Sequence, residues 1–159
     1  MKLAEGPWRT RAGMPRLLRA LGAARGETRF VGGCVRDTLL DLAVNDVDLA
    51  TRLLPEQVIA RLETAKIKAV PTGIAHGTVT AVVSGRPVEV TTLRRDVATD
   101  GRRATIAFTE DWSEDAARRD FTINALMADP ADGEIYDYFG GVAALERRGV
   151  GFIGGPLTR

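Results

Sequence analysis

The sequence predicts an α+β domain, in which helices pack against a mixed, mainly antiparallel twisted sheet of about five strands. Three observations predict this class. Apolar residues recur at helical spacing in several segments, and polar and apolar residues alternate over residues 46–50. Two apolar runs also flank Ser84-Gly85-Arg86, which is typical of a hairpin turn. About five strands is a common size for a sheet.

The composition fits one folded domain and excludes several other classes of protein. The chain has 159 residues, of which 45% are apolar and 27% are charged, as in average globular chains. One cysteine and one histidine exclude a disulfide framework and a Cys/His zinc cage. No run approaches the roughly 18 apolar residues of a membrane span, and residues 1–7 lack the apolar core of a signal peptide. We therefore expect a reduced, soluble, cytoplasmic protein with no membrane partner.

Charge is unevenly distributed along the chain, although the net charge is only +1. Residues 1–36 carry eight basic and two acidic side chains, whereas residues 110–146 carry two basic and ten acidic ones. This distribution suits a domain that binds a polyanion beside metal-binding carboxylates. It suits equally well two solvated faces of opposite sign.

Elements in the first half of the chain follow from residue spacing and from glycine or proline at their ends. Leu17, Leu18 and Leu21 form one face of a helix that Gly26 ends. Pro55 opens a later helix, because proline suits the first helical position. In order, we predict a loose lead-in over 1–12, a helix over 14–24, a strand over 28–31, a helix over 34–42 with Val35, Leu39 and Leu42 on one side, a strand over 46–50, a helix over 55–64 and a strand over 66–71.

The second half begins with the hairpin and continues with short elements. Asp111 and Glu114 have the spacing of an N-terminal capping pair, which places a helix start there. In order, we predict strands over 78–83 and 87–93, a mobile loop over 94–104, a strand over 106–108, helices over 111–119 and 122–127, a strand over 134–136, a helix over 142–147 and a strand over 149–153.

The domain organisation is simple, because the sequence contains no internal repeat and no interdomain linker. Residues 1–27 are expected to form an N-terminal lead-in and helix, and residues 28–159 the main domain. The predicted core consists of Phe30, Val31, Val35, Leu39, Val47, Leu49, Val79, Val88, Val90 and Ile123.

The first candidate site is the turn at Gly32-Gly33, where a predicted strand runs into a helix. Glycines let the backbone approach a ligand closely, and the start of a helix favours a phosphate. Arg36 lies one turn inside that helix, from where its guanidinium can reach the same anion. The alternative is a glycine pair that only makes a tight turn.

The second candidate site is Asp46-Val47-Asp48, in which alternation puts both carboxylates on one face of a strand. Neighbouring carboxylates repel each other, and both remain ionised most readily when cations bind between them. Oxygen ligands favour Mg²⁺, and paired ions activate a hydroxyl and neutralise a leaving pyrophosphate. A solvated turn or a helix cap is the alternative.

Glu89 is a third candidate acid, since it points to the face opposite Val88 and Val90. An unpaired buried carboxylate is costly, and a bound metal relieves that cost. A surface position on an edge strand is equally compatible with the sequence.

Arg118 and Arg119 end one predicted helix just before another begins. Arginines at a helix C-terminus ordinarily interact with the helix dipole. If this end faces the carboxylates, the two guanidinium groups are available to a triphosphate or to an RNA backbone.

The order of these motifs resembles the head (catalytic) domain of the tRNA nucleotidyltransferase and poly(A) polymerase family, which is a branch of the polymerase-β-like nucleotidyltransferases. The resemblance runs from about Thr28 to Arg159. It rests on the motifs Gly32–Asp37, Asp46–Thr51 and Arg118–Leu126, and Gly73–Val79 and Phe139–Gly141 also fit.

The resemblance implies an activity, a cofactor and a set of site residues. Members join a nucleotide from ATP or CTP to the 3′ hydroxyl of RNA, release pyrophosphate and use Mg²⁺. Addition of the CCA end of tRNA is the favoured reaction. Carried over to this chain, the catalytic and metal-binding residues are Asp46, Asp48 and Glu89, and the nucleotide-binding residues are Gly32, Gly33, Arg36 and Arg119. His76 is expected to support the loop or the packing, and Cys34 to be a small packing residue. The arginines of the predicted loop are expected to be solvated or to close over substrate: Arg94, Arg95, Arg102 and Arg103.

Two departures from the family pattern shape the expectation. Gly155 stands where the family usually has an aspartate. The neck, body and tail domains that select the base and position the RNA do not follow, so we expect a truncated product or a segment with weak activity or none. Poly(A) addition, a non-catalytic nucleotide- or RNA-binding remnant, and nucleotide transfer to a protein or a small molecule remain alternatives.

Overall fold

The computed structural model describes residues 1–97, 105–119 and 122–147. Its helices are α1 (Pro7–Thr10), α2 (Met14–Ala20), α3 (Gly33–Leu39), α4 (Pro55–Thr64), α5 (Trp112–Ala117) and α6 (Gly141–Arg147), with 3₁₀ turns at Ala23–Arg25, Ile74–His76 and Thr122–Ala125. Its strands are β1 (Thr28–Val31), β2 (Val47–Thr51), β3 (Lys68–Gly73), β4 (Thr78–Val83), β5 (Arg86–Thr92), β6 (Arg94–Val97), β7 (Thr105–Phe108), β8 (Met127–Ala128) and β9 (Ile135–Tyr136).

Seven of the described strands form one sheet, in the order β3-β4-β5-β2-β1-β8-β9. The β2–β5 pair is parallel and the other pairs in the sheet are antiparallel. This confirms the predicted α+β class and the mixed, mainly antiparallel sheet, which has seven strands where about five were expected. The two-residue strand β8 is too short to produce a periodic pattern in the sequence.

The hairpin between β4 and β5 is confirmed as predicted. Val83 pairs with Arg86, and the two residues between them, Ser84 and Gly85, have φ angles of 50° and 78°. A turn with two positive φ angles matches the right-handed twist of the flanking strands. The hairpin places Glu89 on β5, next to β2.

Two apolar clusters lie on opposite faces of the sheet, because successive side chains of a strand alternate. The larger one contains Phe30 and Leu49 and is covered by α2 and α4. The smaller one contains Val31 and Ala50 and packs against Trp112 of α5. All ten predicted core residues are buried. The candidate functional residues lie on the face of the smaller cluster.

The structure corrects several segment predictions. Residues 1–12 were predicted to be a loose lead-in, but they pack against the sheet. The ring of Trp8 in α1 meets the Phe30 ring edge-on, with 4.7 Å between the ring centroids. Helix α2 ends at Ala20 because Gly22 adopts a left-handed conformation. Leu42, predicted to share a helix face with Val35 and Leu39, is 56% exposed because α3 ends at Leu39.

The predicted mobile loop over 94–104 is wrong for its first four residues, which form β6 and pair with β7. The predicted helix over 122–127 is a 3₁₀ turn followed by β8. Arg102, Arg103 and the predicted strand over 149–153 lie outside the described residues. Within the described ranges, no helix has the length and apolar character needed to cross a bilayer.

Candidate functional site

A cavity of about 290 Å³ opens where β1, β2 and β5 meet the turn before α3. One wall carries the carboxylates of Asp48 and Glu89, and another carries the guanidinium groups of Arg94 and Arg119. The Gly32-Gly33 corner closes a third side. Carboxylates, guanidinium groups and the glycine corner therefore line one volume.

The acidic wall depends on strand register. Asp48 and Glu89 are direct partners across the parallel pair of β2 and β5, whose backbones lie about 4.8 Å apart. Both side chains are exposed, whereas Val47, Leu49, Val88 and Val90, their neighbours along the strands, are buried. The predicted alternation is therefore confirmed for Asp48 and for Glu89.

Asp46 lies directly before β2, which begins at Val47, and its side chain is exposed like that of Asp48. It is close enough to Asp48 for its negative charge to help raise the pKa of that carboxyl. Asp48 and Glu89 line the cavity itself, and Asp46 adds a third negative charge beside them.

The electrostatics of the acidic wall show in the pKa of Asp48, which is raised to about 6. Burial among protein atoms is the largest cause, and repulsion from Glu89 and then Asp46 adds to it, while Arg119 acts in the opposite direction. A carboxylate that is hard to ionise for these reasons is stabilised by a bound cation.

The donor set fits a magnesium ion in its chemistry. Within the described residues, no three His, Cys, Asp or Glu side chains already form a group that could hold a metal. Mg²⁺, however, usually takes only one or two carboxylates and completes its shell with water and substrate phosphates. Asp48 and Glu89 supply such a pair of oxygen donors on one wall.

The glycine corner is shaped by one unusual backbone conformation and one close approach. Gly32 has φ 77° and ψ −129°, which residues with a Cβ rarely adopt. At Gly33, a Cβ would lie 3.3 Å from the guanidinium of Arg36. Arg36 itself donates to Asn124 Oδ1 and to Asp37 Oδ1, both at 2.9 Å. Its guanidinium is partly exposed and lies beside Gly33 and Asn124, which both line the cavity.

The cationic wall is organised by Asp115, which is 1% exposed. Its Oδ2 accepts hydrogen bonds from Nη2 and Nε of Arg119 at 3.0 and 3.3 Å. Its Oδ1 accepts from the backbone N–H of Arg94 at 2.9 Å. Arg118 points elsewhere and pairs with Asp96 of β6 at 3.3 Å. Of the two predicted arginines, the structure therefore brings only Arg119 to the cavity.

Sequence reasoning missed Asn124 and Asp115 as contributors to the site. It placed Arg94 in a loop that is either solvated or closes over substrate, because β6 is too polar and too short to show a strand pattern. Asn124 belonged to a recognised motif but had no partner until the fold placed it beside Arg36. Asp115 gave no signal in the sequence, because its burial and its cationic partners are visible only in the fold.

His76 and Cys34 occupy the places expected for residues without a direct chemical role. His76 is exposed and lines a neighbouring cavity of about 350 Å³ that shares Glu89 with the first. Cys34 is buried, and its thiol donates to the Val31 carbonyl at 3.6 Å.

Comparisons with known proteins show which family this chain resembles. A profile of the family described as poly A polymerase head domain matches residues 28–151, which include all the cavity residues named above. The CCA tRNA nucleotidyltransferase 1, mitochondrial, of Danio rerio is 46% identical over 134 residues, covering 84% of this chain and 31% of that protein.

Two solved structures extend the comparison. The Bacillus stearothermophilus CCA-adding enzyme in complex with CTP superposes with a TM-score of 0.70 at 37% identity, over 87% of this chain and 33% of that one. A tRNA nucleotidyltransferase complexed with a primer tRNA and an incoming ATP analogue superposes with a TM-score of 0.59 at 29% identity, over 79% and 35% of the two chains. The chain thus spans about a third of the length of the relatives it matches.

Proposed function

The chain belongs to the poly A polymerase head domain family, and on that premise we propose that it transfers a nucleotide from ATP or CTP to the 3′ hydroxyl of RNA and releases pyrophosphate. The CCA end of tRNA is the proposed acceptor. One observation carries the proposal: Asp48 and Glu89 face the same cavity as Arg119, beside the Gly32-Gly33 corner. The similarity to enzymes named for CCA addition favours tRNA as the RNA.

Mg²⁺ is the proposed cofactor, with Asp46 and Asp48 as its ligands and Glu89 as the third acid. When bound, it would neutralise charge on the phosphates and lower the pKa of the attacking hydroxyl. Burial and then repulsion from Glu89 and Asp46 raise the pKa of Asp48. This supports the assignment, because a cation bound between the acids relieves both effects.

The chain's own residues orient the reaction. In the proposed transfer, the 3′ oxygen bonds to the α-phosphorus of the nucleotide, the bond to the pyrophosphate oxygen breaks, and the hydroxyl proton is released. Arg119, oriented by Asp115, would hold the phosphates. Gly33 leaves room for their approach, and Arg36 keeps the corner in place through Asn124.

A chimera tests the proposal. Residues 28–151 would replace the matching head of the Bacillus stearothermophilus CCA-adding enzyme, and incorporation of labelled CTP and ATP into tRNA lacking its 3′ end would be measured. We expect incorporation that requires Mg²⁺. Asp48→Asn or Glu89→Gln should reduce the rate of incorporation by about 10³-fold or more. Glu63→Gln, at an exposed site on α4, is the matched control. A folded chimera that binds tRNA and does not extend it would contradict the proposal.

The alternative activities give different outcomes in the same assay. A defined addition of C, C and A supports CCA addition, whereas a ladder of adenosines supports poly(A) addition. Binding of nucleotide without extension supports a non-catalytic remnant. For the 159-residue chain alone we propose weak activity or none. We also propose a cytoplasmic location, which suits a single buried free thiol.

A further inference from the structure

Arg94 carries an unusual unsatisfied donor. Among the buried side-chain nitrogen and oxygen atoms of the described residues, only Nε of Arg11 and Nε of Arg94 have no hydrogen-bond partner. Of these two arginines, Arg94 lines the cavity. Buried polar groups are normally paired, so an orphan beside a cavity indicates a missing acceptor.

The position of Arg94 is fixed at both ends. Its backbone N–H donates to the buried Asp115 at 2.9 Å. Its Nη1 donates to the carbonyl of His76 at 3.0 Å, across the edge of the cavity. An arginine held in this way needs only a small reorientation of its guanidinium to bind a ligand, which favours affinity.

The charge around Arg94 also calls for an anion. Burial and then repulsion from Arg118 lower the pKa of the Arg94 guanidinium, and Arg119 acts in the same direction. Asp115 compensates only in part, because it is shared with Arg119. The cationic wall therefore carries an excess of positive charge that faces the acids Asp48 and Glu89.

We propose that Arg94 is a phosphate-binding residue of this site, which acts with Arg119 on the triphosphate of the nucleotide. Because Nε of Arg94 is closed to solvent, the phosphate first binds the edge of Arg94 that lines the cavity. A small shift of the guanidinium then lets Nε donate a hydrogen bond to the phosphate. The identity of the ligand as a nucleotide rests on the proposed function. Recognition of a polyphosphate by Arg94 does not require transfer activity.

Calorimetry on the 159-residue chain tests this role, with the magnesium complexes of CTP, ATP and inorganic tripolyphosphate as probes. Arg94→Gln should weaken all three by about tenfold or more, since a charge-assisted hydrogen bond is lost. Arg94→Lys should fall between this variant and the wild type. Arg95→Gln is the matched control, because Arg95 is the exposed next residue on β6, and it should change binding less than twofold.

The outcomes separate this proposal from the proposed function. A folded Arg94→Gln variant that binds tripolyphosphate like the wild type overturns the role of Arg94, as does a wild-type chain that binds no polyphosphate. Arg94-dependent binding together with a chimera that never extends RNA supports this proposal and refutes the transferase. If the variants do not fold, the Arg94 Nε–H resonance of the wild type is followed by NMR during a tripolyphosphate titration. A shift of this resonance supports the proposal, and an unchanged resonance overturns it.

Discussion

Asp48 and Glu89 are direct partners across β2 and β5, the parallel pair of the described sheet. Parallel pairing fixes the two carboxylates at the same height on neighbouring strands, and they cannot separate without a change of register. Their repulsion is therefore built into the sheet, and it appears in the pKa of Asp48. This repulsion lowers the free energy of unfolding of the metal-free protein, and the decrease can be measured.

Asp48→Asn should stabilise the metal-free protein at neutral pH. The pKa of Asp48 rises from its ordinary value of 3.8 to about 6 in the folded state, so the folded state retains a proton that the unfolded state loses. Stability therefore falls as pH rises from about 4 to about 6. Because the side chain is exposed and solvent screens it, we expect a gain of only about 1 kcal/mol at pH 7.5. Urea unfolding without divalent ions at pH 4 and pH 7.5 measures it.

The gain should disappear at pH 4, where the wild-type Asp48 is protonated in the folded state. Glu63→Gln serves as the control, since Glu63 is exposed on α4, away from the cavity. A stability difference of the same size at both pH values would show that charge on Asp48 is not its cause.

Bound Mg²⁺ should make the wild type more stable than Asp48→Asn, the reverse of the order expected without the metal. The wild type is expected to gain stability with Mg²⁺, by about 1.4 kcal/mol at ten times the dissociation constant. Asp48→Asn and Glu89→Gln should gain much less, because each removes a carboxylate donor. Thermal unfolding with Mg²⁺ and with EDTA gives the comparison. Equal stabilisation of all three proteins would place the ion elsewhere.

Gly32→Ala should abolish nucleotide binding, whereas Gly85→Ala should not. Both glycines have positive φ, at 77° and 78°, so both substitutions introduce backbone strain of about 1–3 kcal/mol. Only Gly32 forms the corner of the cavity, and a Cβ at Gly85 meets nothing within 4 Å. Calorimetry with Mg·CTP on both variants, at a temperature where both are folded, measures the difference. Retained binding by Gly32→Ala contradicts a role for the corner.

The parts of the fold that follow from local chemistry were predictable from the sequence. The hairpin at Ser84-Gly85 and the alternation around Asp48 and Glu89 depend on neighbours in the chain, and the structure has both. The seven-stranded order was not predictable, because it depends on contacts between distant segments and on a two-residue strand.

The same distinction applies to the site. The Gly32-Gly33 corner is recognisable because only glycine adopts such a backbone at no cost. Arg36 and Arg119 look equivalent as arginines near a phosphate site, but only the fold shows that Asn124 holds the first and Asp115 the second. Asp115 and Arg94 are 21 residues apart, and their hydrogen bond leaves no local trace in the sequence.

Asp115→Ala should destabilise the protein by about 3 kcal/mol. It would leave the Arg94 N–H and the Arg119 guanidinium without their shared acceptor in a buried position. Asp115→Asn keeps one carbonyl oxygen and should lower the stability less.

Asp96→Ala is the matched control. Because the Asp96–Arg118 pair is half exposed, this substitution should lower the stability by less than about 1 kcal/mol. Urea unfolding of the three variants measures these losses, and equal losses for Asp115→Ala and Asp96→Ala would contradict the central place of Asp115.

Cys34 should report on the opening of the glycine corner. It follows Gly33 in α3, and burial raises the pKa of its thiol to about 12. Since the thiolate is the reactive form, an aromatic disulfide reagent at pH 8 should modify the native chain only as fast as the corner opens. Saturating Mg·CTP should slow this reaction by at least about tenfold, because a ligand that binds only the closed corner reduces the open population.

The strained Gly32→Ala variant should react faster than the wild type and show no protection by Mg·CTP. A fast reaction of the native wild type that CTP does not slow would mean that the thiol is accessible without opening and that the corner is not where the nucleotide binds.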